Sequence, residues 1–363
     1  MKKILMNPGP VVLSERVRQA LLKPDLCHRE QEFIELQSKI RTDLLDVYKL
    51  DNKDWASILF TGSGTSAMEA MMTSFVPAHG KVLIIENGVY GERLTKIAKI
   101  HGINHKIVHH EWGQSLDLKL IEGELNYEKA FSHIAIVHHE TTSGRLNDID
   151  AVARLCKQYN SNATILLDAV SSFGAEEIKF HEWNLAACAA TANKCLHGVP
   201  GTSFVIGNRE GISQMSATPA RTLYLDLVTY LKNQDANGTP FTQSIQTFYA
   251  LAEALDELSE NGGWQARHKL YWQRMNQVRK GLIENGIKPY MELEESSCVL
   301  NAFHLPENVS YDNLHDKLKE AGFIIYAGQG AFAKAMFRIS CMGEMTADDV
   351  KRFIDTLKSI LSK

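Results

Sequence analysis

A single lysine, Lys194, stands between a run of small residues and a tight turn in AACAATANKCLHGVPG. Lysine rarely enters an apolar neighbourhood without a partner or a task. Either its ammonium reaches water from a loop, or it is held inside so that the amine can lose a proton and react. Other residues bear on that choice. Asp168 ends the apolar run ILLD, where an aspartate is costly unless paired. Its partner there is a cationic heterocycle, a nearby basic residue or the start of a helix. Gly62-Ser63-Gly64-Thr65 falls where a strand turns into a helix. Small residues let the backbone approach a phosphate, and the helix start offers free N–H groups. The same four residues also make an ordinary strand–helix turn. Tyr90 follows Asn87-Gly88 and offers a flat ring for stacking, or fills a core or interface; Thr141 follows His139-Glu140 and offers a hydroxyl, or simply lies in a loop.

Taken together these residues supply a phosphate cup, an aromatic platform, a polar contact, a buried acid and a lysine. A pyridoxal phosphate site needs that set. Two other chemistries fit less well. The histidine pairs 109–110 and 138–139 lack helical i, i+4 spacing, and there is no His-Glu-x-x-His, so no metal is expected. GSGTSA has no third glycine where a dinucleotide fingerprint requires one, which leaves a non-catalytic or nucleotide-binding α/β protein as the contrasting reading.

The elements that position these residues are legible in the apolar runs. SILFTG, KVLIIENG, HKIVHH, HIAIVHHE, ATILLDAV and TSFVIG read as strands, with helical patterns SAMEAMMTSFV, YGERLTKIAKIH and DIDAVARLCKQYN between them. Strands apolar throughout, alternating with helices, predict an α/β fold with a mostly parallel sheet covered on both faces. Ligands bind outside the carboxyl ends of such strands, where all the candidates lie. Upstream, Ser14 is placed to cap a first helix, and a longer helix is expected from Glu30 to about Tyr48. The expected division is a large domain over 1–260, with residues 1–20 packing on the small domain, a linking helix over 261–285, and a small α+β domain over 286–363 built on VLNAFHL, FIIYAG and MFRISC.

Composition narrows the classes further. With 363 residues, 44% hydrophobic and 23% charged, the chain reads as an ordinary globular protein. A net charge of -4 without basic blocks argues against nucleic acid, and no apolar run suits a membrane span or signal peptide. Six scattered cysteines without a Cys-x-x-Cys pair suggest a reducing, cytoplasmic setting.

In order along the chain, GSGTSAMEA, NGVYGER, HHETTSG, LDAVSSFG and ANKCLHGVPG resemble the class V aminotransferases, pyridoxal phosphate enzymes of fold type I. The resemblance runs from Asn7-Pro8-Gly9-Pro10 to the Arg338 region. Within the class, SSFG and ANKCLHGVPG are most similar to the branch that moves the amino group of 2-aminoethylphosphonate to pyruvate. The resemblance implies that Lys194 holds the cofactor covalently, Asp168 pairs with the pyridine nitrogen, and Tyr90 stacks on the ring. It implies that Ser63, Gly64 and Thr65 cup the phosphate, and that Thr141, Val170 and Asn193 touch the cofactor. It implies a homodimer in which Thr242 reaches the neighbouring subunit's phosphate, and an Arg338 that binds the substrate's acidic group. CHREQEF and FRISCMG depart from that branch, and Arg29 in the first is a further candidate for substrate binding. Alternatives inside the cofactor class are an ammonia lyase acting on a hydroxylated aminophosphonate and an alanine–glyoxylate or serine–pyruvate aminotransferase.

Overall fold

In the computed structural model, which describes residues 3–361 other than Ala217, the apolar runs become one seven-stranded sheet. Its order is Trp55–Gly62, Gly201–Asn208, Leu185–Thr191, Thr164–Asp168, Phe131–Val137, Lys81–Glu86, His105–His109. Only Gly201–Asn208 pairs antiparallel, to both of its neighbours. The remaining pairings are parallel. Helices cover both faces, which is why the strands can be apolar on both sides. One apolar cluster packs Phe33, Ile40, Val152 and Phe248 against the sheet, from helices Gln31–Asp46, Ile149–Tyr159 and Ile245–Glu260. The opposite cluster packs Met68, Met71, Leu94 and Ile97, from helices Gly64–Phe75 and Val89–Ile100.

The strand Leu185–Thr191 was not expected from its sequence. LAACAAT holds no β-branched residue before its last position and reads only as a small-residue run. It is a strand because it lies between two others, with helix Gly64–Phe75 pressed close on its short side chains.

Helices Ile245–Glu260 and Gly263–Glu284 are separated by Asn261 and Gly262, and the left-handed φ of 90° at Gly262 breaks the helical run between them. Beyond them lies a three-stranded antiparallel sheet, ordered Leu300–His304, Met336–Ser340, Tyr326–Ala327, with helices Tyr311–Glu320 and Ala347–Leu361. The FIIYAG run serves two sheets rather than one. Phe323–Ile324 pairs in parallel with Ile4–Leu5, while Tyr326–Ala327 joins the strand that carries Arg338. Ile4 and Met6 share an apolar cluster with Phe323, Phe337 and Phe353. The chain's first strand is therefore anchored on its C-terminal part, and the residues that follow pass over Lys194. Among the described residues no helix is long and apolar enough to cross a membrane.

Candidate active site

A cleft of about 430 Å³ opens at the carboxyl ends of the parallel strands, lined by Ser63, Gly64, Thr65, Tyr90, Arg93, Val170, Asn193 and Lys194 among others. Each element delivers its residue for a local reason. Strand Trp55–Gly62 ends at Gly62, and Ser63 takes the N-cap position of helix Gly64–Phe75 with extended backbone. No side chain caps that helix, so its first N–H groups face the cleft without a side-chain acceptor. Tyr90 sits in the first turn of helix Val89–Ile100. Asn193 and Lys194 follow strand Leu185–Thr191 directly, and Asn193 Oδ1 accepts from Thr191 Oγ1 at 2.9 Å.

Asp168 lies at the end of its strand, registered with Val137 on one side and Ala189 on the other. It is 3% exposed. Among the described residues its carboxylate has one hydrogen bond, from the Val170 N–H at 2.9 Å, and no ion pair. Burial pushes its pKa up to about 7, against the pull of the Val170 N–H, and the nearby Glu140 adds to the rise. Lys194 is half-buried, and its Nζ donates to the Pro8 carbonyl of the N-terminal strap. Burial pushes its pKa down to about 8, with Arg338 and Arg93 adding to the fall while Cys195 and Asp168 oppose it. A lysine so placed has a reactive neutral amine at pH values where an ordinary lysine has almost none.

Arg338 is buried in strand Met336–Ser340. Its Nε donates to the Ala327 carbonyl and its Nη1 to the Thr141 carbonyl, both at 2.9 Å. Among the described residues it has no carboxylate partner, so one edge of the guanidinium remains for an anion. Thr141 is buried beside it, and its Oγ1 has no partner among the described residues.

The structure does not bring every candidate to the cleft. Arg29 is exposed in the turn before helix Gln31–Asp46, and Thr242 is exposed on the loop before helix Ile245–Glu260. Neither lines the cleft within one chain, and Thr141, Asp168 and Arg338, which are buried, are not part of its wall either. Other residues at the site were not singled out from the sequence. Arg93 places its guanidinium 4.5 Å from the centre of the Tyr90 ring and donates to Thr65 Oγ1 at 3.2 Å. The spacing of Tyr90 and Arg93 on one helix face was the available signal. Glu140, behind Tyr90, gave no signal beyond standing in a polar run.

These features fit a phosphorylated, cationic ring. Thr141 Oγ1 is an orphaned buried hydroxyl, and Asp168 is a buried acid short of donors. The cup has no room for a side chain at position 64, where a Cβ would lie 2.7 Å from Val170 Cγ1. A profile described as aminotransferase class-V matches residues 18–353. The chain belongs to the class V aminotransferases. A 2-aminoethylphosphonate–pyruvate transaminase from Bacillus cereus (strain AH820) is 33% identical over 358 residues, 98% of this chain and 96% of that protein. Among solved structures, an aspartate aminotransferase of subgroup IV from Thermus thermophilus superposes with a TM-score of 0.90 at 26% identity, covering 99% of both chains. An alanine–glyoxylate aminotransferase from Nostoc sp. gives 0.91 at 24% identity, over 99% of this chain and 96% of that one, and speaks for the fold alone. The protein is an aminotransferase whose cofactor is pyridoxal 5'-phosphate.

Proposed function

We propose that this enzyme transfers the amino group of 2-aminoethylphosphonate to pyruvate, giving phosphonoacetaldehyde and L-alanine, or runs the same exchange in reverse. The observation that carries the site assignment is a half-buried Lys194 on the wall of the cleft, with the underpaired Asp168 buried near enough to act on its pKa. The substrate assignment is supported by full-length similarity to transaminases of that name and by a buried Arg338 with no carboxylate partner among the described residues.

Bound pyridoxal phosphate supplies an electrophilic carbon and a ring that accepts electrons from a breaking C–H bond. Ser63, Gly64 and Thr65 hold its phosphate at a helix start. Thr141, Val170 and Asn193 contact it, and the Tyr90 ring supports its plane. The Asp168 carboxylate keeps a proton on the ring nitrogen, and that proton's charge is what its own burial lacks. Lys194 Nζ, about half neutral near pH 8, takes the proton from the donor's nitrogen-bearing carbon. Arg338 orients the phosphonate or carboxylate by charge-assisted hydrogen bonds. Helix Gly64–Phe75 leaves its cup open to the surface, which supports completion by Thr242 from a second copy in a homodimer. Arg29 is a candidate substrate contact on the same terms. Six cysteines without a disulfide support a cytoplasmic setting.

A panel of amino donors tested with pyruvate checks the assignment. Consumption of 2-aminoethylphosphonate with equimolar alanine formation is expected. Ammonia release without alanine points to a lyase, and preferred turnover of glyoxylate to the alanine–glyoxylate type. The lysine is checked separately by borohydride reduction of the loaded enzyme, which is expected to tag Lys194.

A further inference from the structure

Helix Val89–Ile100 begins without a cap of its own. Its N-cap is Gly88, which has no side chain to accept the helix's first N–H groups. Donors of that kind, once buried, need partners from elsewhere. A distant segment supplies them. The Glu140 carboxylate accepts the N–H groups of Tyr90 and Gly91, each at 3.2 Å. The Thr142 hydroxyl accepts the Val89 N–H at 3.0 Å and donates to Glu140 at 2.6 Å.

Glu140 is fully buried and makes no ion pair among the described residues. A buried carboxylate is tolerated here because the helix start aims N–H groups and positive partial charge at it. Position 88 is adapted to the arrangement: a Cβ there would overlap the Glu140 side chain. The residue between the two capping side chains turns the other way. Its carbonyl, that of Thr141, accepts from Arg338 Nη1 at 2.9 Å. Three consecutive residues thus hold the Tyr90 helix on one side and Arg338 on the other.

From this geometry we infer that Glu140 is a positioning residue. It sets the height and tilt of the Tyr90 ring over the cofactor through the helix start, and its loop ties that setting to Arg338. This rests on the function proposed above. Glu140 touches neither cofactor nor substrate; it acts through Tyr90 and the Thr141 carbonyl.

Two variants test it from opposite sides. Glu140→Gln removes the charge and replaces one acceptor oxygen with a donor. Gly88→Ala keeps the charge and displaces the carboxylate. The readouts are the pyridoxal phosphate dissociation constant from quenching of tryptophan fluorescence, the visible circular dichroism of the bound cofactor, and far-ultraviolet dichroism as a fold check. In both variants the dissociation constant is expected to rise roughly tenfold, on the scale of one lost charge-assisted bond. The visible dichroism is expected to fall by at least half, and KM for the acidic substrate to rise more than kcat falls. Should Glu140→Gln fail to fold, Gly88→Ala carries the test alone. Wild-type affinity and dichroism in either folded variant overturn the inference and leave the proposed function standing. A wild-type protein that takes up no cofactor overturns both.

Discussion

Asp168 and Glu176 lie eight positions apart in the sequence, both are buried, and their surroundings are opposite. Among the described residues Asp168 has a single N–H donor, and burial raises its pKa to about 7. Glu176 accepts from Ser297 Oγ at 2.5 Å, the Cys298 N–H at 2.9 Å and His268 Nδ1 at 3.2 Å. Burial alone would raise its pKa, but the bonds from His268 and Ser297 more than offset that and hold it low. Its partners come from helix Gly263–Glu284 and from the segment before strand Leu300–His304, so Glu176 fastens the C-terminal part of the chain to the large sheet. The carboxylate that is fully paired within the chain is structural. The one left short of donors marks where a ligand completes the structure.

The largest effect should come from removing the charge of the underpaired acid. Asp168→Asn is expected to lower turnover by at least about 10³-fold, because under the proposed function the ring nitrogen would lose the group that keeps it protonated. The same substitution should raise the melting temperature of the cofactor-free protein at pH 7.5, since an uncompensated buried charge disappears. Steady-state kinetics and thermal melts check both halves. Turnover within tenfold of wild type would break the contrast between the two acids.

Glu176→Ala should do the reverse. Removing one member of a buried pair leaves the others unsatisfied, and a loss of about 3 kcal/mol in stability is expected, the low end for such a pair because His268 is part-exposed. The turnover of the protein that remains folded should stay within a few-fold of wild type. Urea unfolding combined with active-site titration separates the two quantities. The carboxylate, imidazole and thiol of Glu176, His268 and Cys298 lie within 4.8 Å of one another. His268 Nδ1, however, faces both the Ala175 carbonyl at 2.9 Å and Glu176, so its proton is already committed to this latch.

The contrast also explains what could be read in advance. The apolar runs around Ile58, Ile84, Ile134 and Ile165 declared themselves as strands because β-branched residues buried on both faces leave few other options. Ser14 was legible as a cap, and its Oγ accepts the Val17 N–H at 3.1 Å. Leu185–Thr191 was not legible, because alanine carries no strand preference and the neighbouring strands decide. At the site, Lys194 and Asp168 stood out as charged residues ending apolar runs. Glu140 did not, because its partners Tyr90 and Gly91 lie some fifty positions away and donate through the backbone, which no residue type announces. Glu176 escaped for the same reason: its meaning lies in Ser297 and His268.

The smallest effect is also the most selective, and it concerns pH. In the cofactor-free protein Asp168 holds a proton up to about pH 7, while in the unfolded chain it releases one near the ordinary value of 3.8. Between those values the folded state binds the extra proton, so this group makes stability fall as pH rises, by at most about 1.4 kcal/mol per unit. The latch behaves otherwise. Glu176, with its lowered pKa, contributes stability above 4.5 that is lost as pH falls through its folded value. His268, raised chiefly by its bond to Glu176, contributes stability below 6.5 that is lost as pH rises through its folded value. Between pH 5 and 6 the latch is therefore nearly flat. His133, His138 and His139, held near 4 by burial, and His197, held well below its ordinary value by burial, push the total the opposite way over the same interval. The diagnostic quantity is thus a difference. The unfolding free energy of Asp168→Asn minus that of wild type should grow by about 1 kcal/mol from pH 5 to pH 6. The matching difference for Glu176→Gln should stay level. Chemical denaturation at the two pH values measures both, and a level difference for Asp168→Asn would mean that the acid at the cleft is already paired.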